Sequence, residues 1–227
     1  MSAWGVPQWV SMKVISTNVA VRRPEPHGRH EYTGIDKQPR PFLDLEVPGP
    51  NYGDGSGVVG DSIGDHAHHG GAEKAVYAVA REELDYWEGT LNRVLRDGYF
   101  GENLTTEGIS WANMLINQQI QVGECVLEVS IPRTPCATFS GWMDEPGWLK
   151  SFTERGDCGS YLRIIEPGRI NPGDEITLIG RPDHDITMGM AFAAKMGDKD
   201  LARRVVDAGC LAPVHHDQLI KSLSPRG

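Results

Sequence analysis

Pro132, Arg133, Thr134 and Pro135 lead directly into Cys136, and this short stretch has the clearest capacity for chemistry in the chain. A thiol close to a guanidinium suits a nucleophile or a soft metal ligand, because nearby positive charge favours the thiolate. The two prolines fix the backbone on either side of Arg133 and Thr134. Val126 to Ile131, just before them, reads as a strand. A strand end holds a reactive side chain rigidly while the turn projects it outward. The competing reading makes Cys136 a small buried apolar residue beside a turn, since free cysteine is among the most buried residue types. A second cluster, His66, His68 and His69 in HAHHGG, has the residue type that binds zinc. A zinc site would need further ligands or an open position, and no fourth ligand is evident.

The four cysteines, Cys125, Cys136, Cys158 and Cys210, form no CxxC pair and no zinc-finger spacing. Free thiols in a reducing cytoplasm are therefore expected. No apolar run approaches the ~18–20 residues of a membrane span, and the first residues lack the pattern of a secretory signal. A formal net charge of −9 argues against a nucleic-acid binder that works through bulk charge. With 39% hydrophobic and 23% charged residues, the 227-residue chain suits a globular protein of one large or two small domains. Its 27 glycines and 15 prolines favour many turns and short strands over a helix bundle.

The elements that must position these residues follow from periodicity. Lys13 to Val21 is rich in strand formers. Ala75 to Val79 reads as a strand, and Arg81 to Leu91 as a helix with Leu84, Trp87 and Leu91 on one face. Ile120 to Ile131 gives strands around Gly123-Glu124, with Cys125, Leu127, Val129 and Ile131 sharing one face, so Cys125 belongs to the core. Ser160 to Ile165 and Glu175 to Ile179 complete a set of short strands, which points to a β-barrel or sandwich with an inserted helix or two. Pro48 to Gly60, rich in glycine and proline, reads as a loop. After Pro182 the pattern becomes helical. Asp185 and Asp198 are plausible caps, Gly209 a stop, and His215 to Leu223 a third helix with His215-His216 as a solvated pair.

Four motifs occur in order: HGGAEKAVYAV at His69 to Val79, FGENLTTEG at Phe100 to Gly108, VGECVLEVSIPRTPC at Val122 to Cys136, and YLRIIEPGRINPGDEITL at Tyr161 to Leu178. Together they resemble the MOSC domain proteins, named for the C-terminal domain of molybdenum cofactor sulfurases, over roughly Lys13 to Gly180. The tail resembles the three-helix extension of the bacterial subgroup that includes the 6-N-hydroxylaminopurine resistance protein. The resemblance implies a mainly β fold with α: a MOSC-like β-barrel over residues 1–180 and a small C-terminal helical extension over 181–227. It implies a bound molybdenum cofactor, a molybdopterin, with Cys136 as the sulfur ligand to molybdenum. Related enzymes reduce N-hydroxylated compounds with electrons from a separate flavin reductase, ferredoxin or cytochrome partner. No flavin, haem or iron–sulfur motif occurs in this chain, which fits an external donor.

A pterin with an anionic phosphate needs donors and positive charge. Arg133, Lys74, Arg163 and the Thr33 hydroxyl are the candidates, and each of the charged ones alone would more often be a surface residue. Gly70 and Gly71 would let the backbone approach a ligand closely, and Asn103 offers both donor and acceptor. Of the histidines, the resemblance assigns only His69 to the pocket. The segment Ser140 to Asp157, with Trp142, Trp148 and Phe152, is expected to form an aromatic wall over the site. Three readings stay open on these residues: a molybdenum-dependent reductase of N-hydroxylated bases or related N-oxygenated compounds, a sulfur-carrier or cofactor-binding module that uses a Cys136 persulfide, or a structural remnant that binds no cofactor, which the Arg133-to-Cys136 constellation disfavours.

Overall fold

The computed structural model describes residues 11–224. Twelve strands run in chain order: β1 (Lys13–Ala20), β2 (Arg23–Pro24), β3 (Tyr32–Thr33), β4 (Lys37–Arg40), β5 (Leu43–Leu45), β6 (Val76–Ala80), β7 (Leu104–Glu107), β8 (Gln119–Val122), β9 (Cys125–Val129), β10 (Ser160–Glu166), β11 (Gly168–Ile170) and β12 (Ile176–Ile179). Eight of them form one mixed sheet in the order β12-β8-β9-β10-β6-β7-β1-β4. Its two ends meet. The Val14 N–H donates to the Asp174 carbonyl at 2.9 Å, and the Ile176 N–H donates to Met12 at 2.7 Å. The sheet thus curls into the expected barrel, which satisfies edge groups that would otherwise stay open.

β6 and β7 pair in parallel, and a parallel pair needs a crossover. The helix α1 (Arg81–Leu91) supplies part of it, with Leu84 and Trp87 buried as the periodicity predicts. β6 is buried along its whole length, so VYAVA has no polar face. β9 and β10 run antiparallel, with Leu162 opposite Val129. This pairing sets the strand end that carries Arg133 and Cys136 beside Tyr161.

Two short helices, α2 (Ala137–Met143) and α3 (Trp148–Arg155), follow Cys136. Their aromatic residues do not wall the site as the sequence suggested. Phe139, Trp148 and Phe152 are buried in the core, where Trp148 meets Trp87 at 4.6 Å and Phe139 meets Phe152 at 5.2 Å between ring centroids. Trp142 instead donates its indole N–H to the Tyr99 carbonyl. The physical reason is burial: large rings gain more by packing edge-to-face inside than by lining a wet cavity.

The tail forms α4 (Met188–Lys195), α5 (Lys199–Ala208) and α6 (Pro213–Leu223). Asp198 caps α5 by accepting from the Asp200 and Leu201 N–H groups, and Gly209 ends it with φ 61°, as expected. The cap of α4 is Thr187 rather than Asp185, whose carboxylate pairs with Arg204 at 2.8 Å. The tail shares the barrel's core: Phe192 on α4 packs 6.2 Å from Phe152. The Ile116 N–H donates to the Ile186 carbonyl at 3.0 Å and the Met188 N–H to Met114 at 2.8 Å.

Phe152 has no exposed surface and touches rings from both the barrel side and the tail. Phe152→Ala is expected to lower the unfolding free energy by about 3–5 kcal/mol, read as a shift of the urea midpoint.

Candidate functional site

The site grows from the turn before β6. The glycine-rich segment 48–60 is strapped to this turn by backbone bonds. Gly53 N–H donates to His69 at 3.0 Å, Gly71 N–H to Gly55 at 2.9 Å, and Ala72 N–H to Gly49 at 2.9 Å. Gly70 and Gly71 have φ of 80° and 73°. A Cβ on Gly70 would lie 2.6 Å from the Gly55 carbonyl oxygen, and one on Gly71 2.1 Å from that of Asn51. The two glycines are therefore demanded by the close approach of the strap, a role the sequence had given to a ligand.

Behind this turn lies a cavity enclosing about 740 Å³ of empty space, part of it open to solvent. Thr33, His69, Gly70, Lys74, Asn103, Arg133 and Cys136, far apart in sequence, all line it. Tyr77 and Tyr161 line it as well and were missed in the sequence, although both sit inside the recurring motifs as strand residues facing the same way.

Arg133 is buried. Its guanidinium donates to the Phe100 carbonyl, lies 3.9 Å from the centre of the Phe139 ring and 4.9 Å from that of Tyr77. No carboxylate pairs with it among the described residues. Burial works against its charge, yet a guanidinium holds its proton throughout the neutral range, and the group stays cationic. Burial also pushes Tyr161 up to about 12, so no tyrosinate balances Arg133 at neutral pH. Lys74 is a second cation, and among the described residues no carboxylate forms an ion pair with it, although Asp65 stands on its side of the cavity. It donates to the His68 carbonyl at 2.6 Å and sits 4.8 Å from the centre of the Tyr52 ring. Burial, then the charge of Lys195, draws it down to about 8.

Cys136 is the one cysteine of the four that is not buried. It stands in extended conformation just before α2, and its carbonyl accepts the Ser140 N–H at 3.0 Å. Burial pushes Cys125 up to about 12 and raises Cys158 and Cys210 too, so those three behave as core thiols.

Asn103 is spent internally. Its amide donates to the Asn18 carbonyl at 3.2 Å and to Asp61 at 3.0 Å, and its oxygen accepts the Tyr77 N–H at 3.2 Å. Asp61 also takes the Lys37 ammonium at 2.5 Å and the Ala20 N–H at 2.9 Å. Burial alone would raise this carboxyl, but Lys37, Asn103 and Ala20 together hold it below the usual range. The network pins one cavity wall and leaves Asn103 little capacity for a ligand. Thr33 accepts the Ile35 N–H at 3.2 Å and keeps its hydroxyl proton free.

Arg163 corrects the sequence reading. It lies outside the cavity, where Glu73 holds its Nε at 2.9 Å and Glu128 and Asn117 take its Nη1. His66 and His68 stand exposed in a turn rather than on a strand, with His68 bonded to Asp65 at 3.0 Å. Among the described residues no group of three or more His, Cys, Asp or Glu is gathered for a metal. His69 faces Tyr161, with Nδ1 3.4 Å from its hydroxyl oxygen, and burial, aided by Lys74 and Arg133, lowers it from 6.5 to about 3. His215, expected to be solvated, is buried in the tail.

Residues 65–177 match the model of the MOSC domain. The chain is a MOSC-domain protein. The match is narrower than the resemblance read from sequence, and β1 and β4 complete the eight-stranded sheet from outside it. The YflK protein of Bacillus subtilis is 34% identical over 132 residues, covering 58% of this chain and 60% of that protein. A protein of Gibberella moniliformis named Reductase is 36% identical over 140 residues, 59% of this chain but 24% of that protein. The crystal structure of YiiM from Geobacillus stearothermophilus superposes with a TM-score of 0.75 at 22% identity, covering 94% of this chain and all of that one, so the MOSC fold with its helical tail is shared. Among the described residues no helix is long and apolar enough to cross a membrane.

Two outcomes follow for this MOSC site. Asp61→Asn leaves the buried Lys37 ammonium without its counter-charge and should cost about 3–5 kcal/mol in chemical denaturation. Unfolded His69 takes up a proton near 6.5, whereas the folded residue waits until about 3. The unfolded state therefore binds more protons between these values, and stability falls as pH drops through this window. His69→Gln should shrink the loss of melting temperature between pH 7 and pH 5 that the wild type shows.

Proposed function

We propose that this protein is a molybdenum-cofactor-dependent reductase of N-hydroxylated small molecules. The observation that carries the reading is a buried, uncompensated Arg133 beside the one partly exposed cysteine, in a single cavity. A buried cation without an anion is costly unless a ligand provides the anion. Arg133 and Lys74 would hold the anionic phosphate of a molybdopterin, with the Thr33 hydroxyl as a further donor. Cys136 would supply the sulfur ligand, since a thiolate suits a redox-active transition metal better than a hard carboxylate. When bound, the cofactor supplies two-electron chemistry. His69 and Gly70 form the wall beside Lys74.

The net reaction breaks the N–O bond of a hydroxylamine, consumes two electrons and two protons, and yields the amine and water. The electrons come from an external donor of the flavin reductase, ferredoxin or cytochrome type. The relative named Reductase supports an oxidoreductase reading.

The test is molybdenum and pterin content of protein made in a cofactor-producing host and purified without oxygen, followed by turnover of an aryl hydroxylamine with reduced methyl viologen. Near-stoichiometric molybdenum and amine formation are expected, both lost in Cys136→Ala. Full activity with bound molybdenum in Cys136→Ala contradicts the assignment. A labile extra sulfur on Cys136 by mass spectrometry, without hydroxylamine turnover, replaces it with sulfur transfer.

A further inference from the structure

The tail reaches the site through a chain of polar contacts. Lys195, the last residue of α4, places its ammonium 3.1 Å from Nδ1 of His215 on α6. His215 Nε2 lies 2.9 Å from the Tyr52 hydroxyl oxygen, at the tip of the glycine-rich strap. The Tyr52 ring faces the Lys74 ammonium at 4.8 Å, and Lys74 lines the cavity. The proton inventory gives this chain a direction. A charged lysine can only donate, so at 3.1 Å it takes Nδ1 of His215 ahead of the Gln218 amide oxygen, which lies 3.4 Å from the same nitrogen, and the imidazole carries its proton on Nε2. That N–H then donates to the Tyr52 oxygen. His215 is neutral, since burial, then Lys195 and Lys74, bring it to about 4.

Lys195 and Lys74 are like charges, and among the described residues neither has a carboxylate partner. His215 is 3% exposed and belongs to neither the barrel nor the strap. α6 therefore meets the strap through His215, which Lys195 of α4 braces, at a point the packing of the tail does not require: α4 and α6 already bury Phe192, Ala194 and Leu219 in the core.

We propose that the C-terminal helices are part of the site, with Lys195 and His215 as positioning residues that fix Tyr52 and, through its ring, hold Lys74 against the cavity wall. The inference rests on the reading that the cavity receives an anionic group, and it adds the tail as the element that sets how Lys74 meets that group. A strap so rich in glycine has little stiffness of its own, and the Tyr52 hydroxyl bond ties it to a helical support.

The test follows the titration of Lys74 in the full chain by NMR of ¹³Cε-labelled lysine, assigned with Lys74→Arg. The titratable and charged groups that face Lys74 are Lys195 from the tail, Arg133 and Cys136 from the strand end, and Asp65 from the turn before β6. The wild-type midpoint is expected near 8. Tyr52→Phe keeps the ring and removes the hydroxyl. Lys195→Met removes the nearest like charge. Both should move the Lys74 midpoint upward by about half a pH unit or more, as Lys74 gains water or loses a repelling neighbour. Lys195→Arg should restore the wild-type value. Folded variants that all titrate with the wild-type midpoint overturn the proposal. Inorganic phosphate separates it from the reading beneath it. A Lys74 midpoint that rises with phosphate in the wild type, and about three- to tenfold less readily in Tyr52→Phe, supports both. A midpoint indifferent to phosphate yet still responsive to Tyr52 and Lys195 keeps the tail's role and removes the anion.

Discussion

Arg133 is taken out of water with no opposite charge beside it, and much of this structure can be understood as the means of holding it there. Its neighbours are a carbonyl and the faces of Phe139 and Tyr77. Such partners ease the burial of a guanidinium without neutralising it, because ring faces and carbonyl dipoles stabilise a cation only in part. The charge is left directed at the cavity. The β9–β10 pairing, the aromatic core behind Phe139 and the strand end between Pro132 and Pro135 all serve that placement.

The same placement explains the division of labour among the polar residues. Asp61, Lys37 and Asn103 satisfy one another and form a fixed wall. Glu73 and Glu128 consume Arg163. Arg133, Lys74, the Thr33 hydroxyl proton and the Cys136 sulfur are the groups left over, and they face one space. Glu25 and Asp65 also line the cavity, but the His27 and Arg29 N–H groups and Thr138 take the first and His68 the second, so the donors and cations left over complement an anionic ligand.

The sequence was legible where local rules decide. The α1 helix begins and ends at the residues its periodicity marked, Asp198 and Gly209 cap α5 as their types require, and the barrel follows from short strands between turns. Cys136 stood out because two prolines and a strand end frame it. What failed was pairing across distance. Arg163 lies on the same strand as Tyr161 and two residues on, roughly 7 Å further along. That step moves it from the cavity to Glu73, a partner 90 residues away in sequence. Glu73 itself is the immediate neighbour of Lys74, yet the turn sends the two side chains to different tasks. The role of Gly70 likewise depends on the Gly55 carbonyl, which no local pattern reveals. His215 is buried because the tail folds onto the strap, and a helical pattern alone says nothing of what it folds against.

The most direct measurement is the melting temperature of wild type and Arg133→Met protein as phosphate is raised at constant ionic strength with chloride. If Arg133 is an anion receptor, the wild type melts higher as phosphate rises while the variant stays folded and flat, since only a ligand bound to the native state shifts the transition. An equal response of the two proteins, or none in the wild type, would contradict the claim that the buried guanidinium is kept for a ligand.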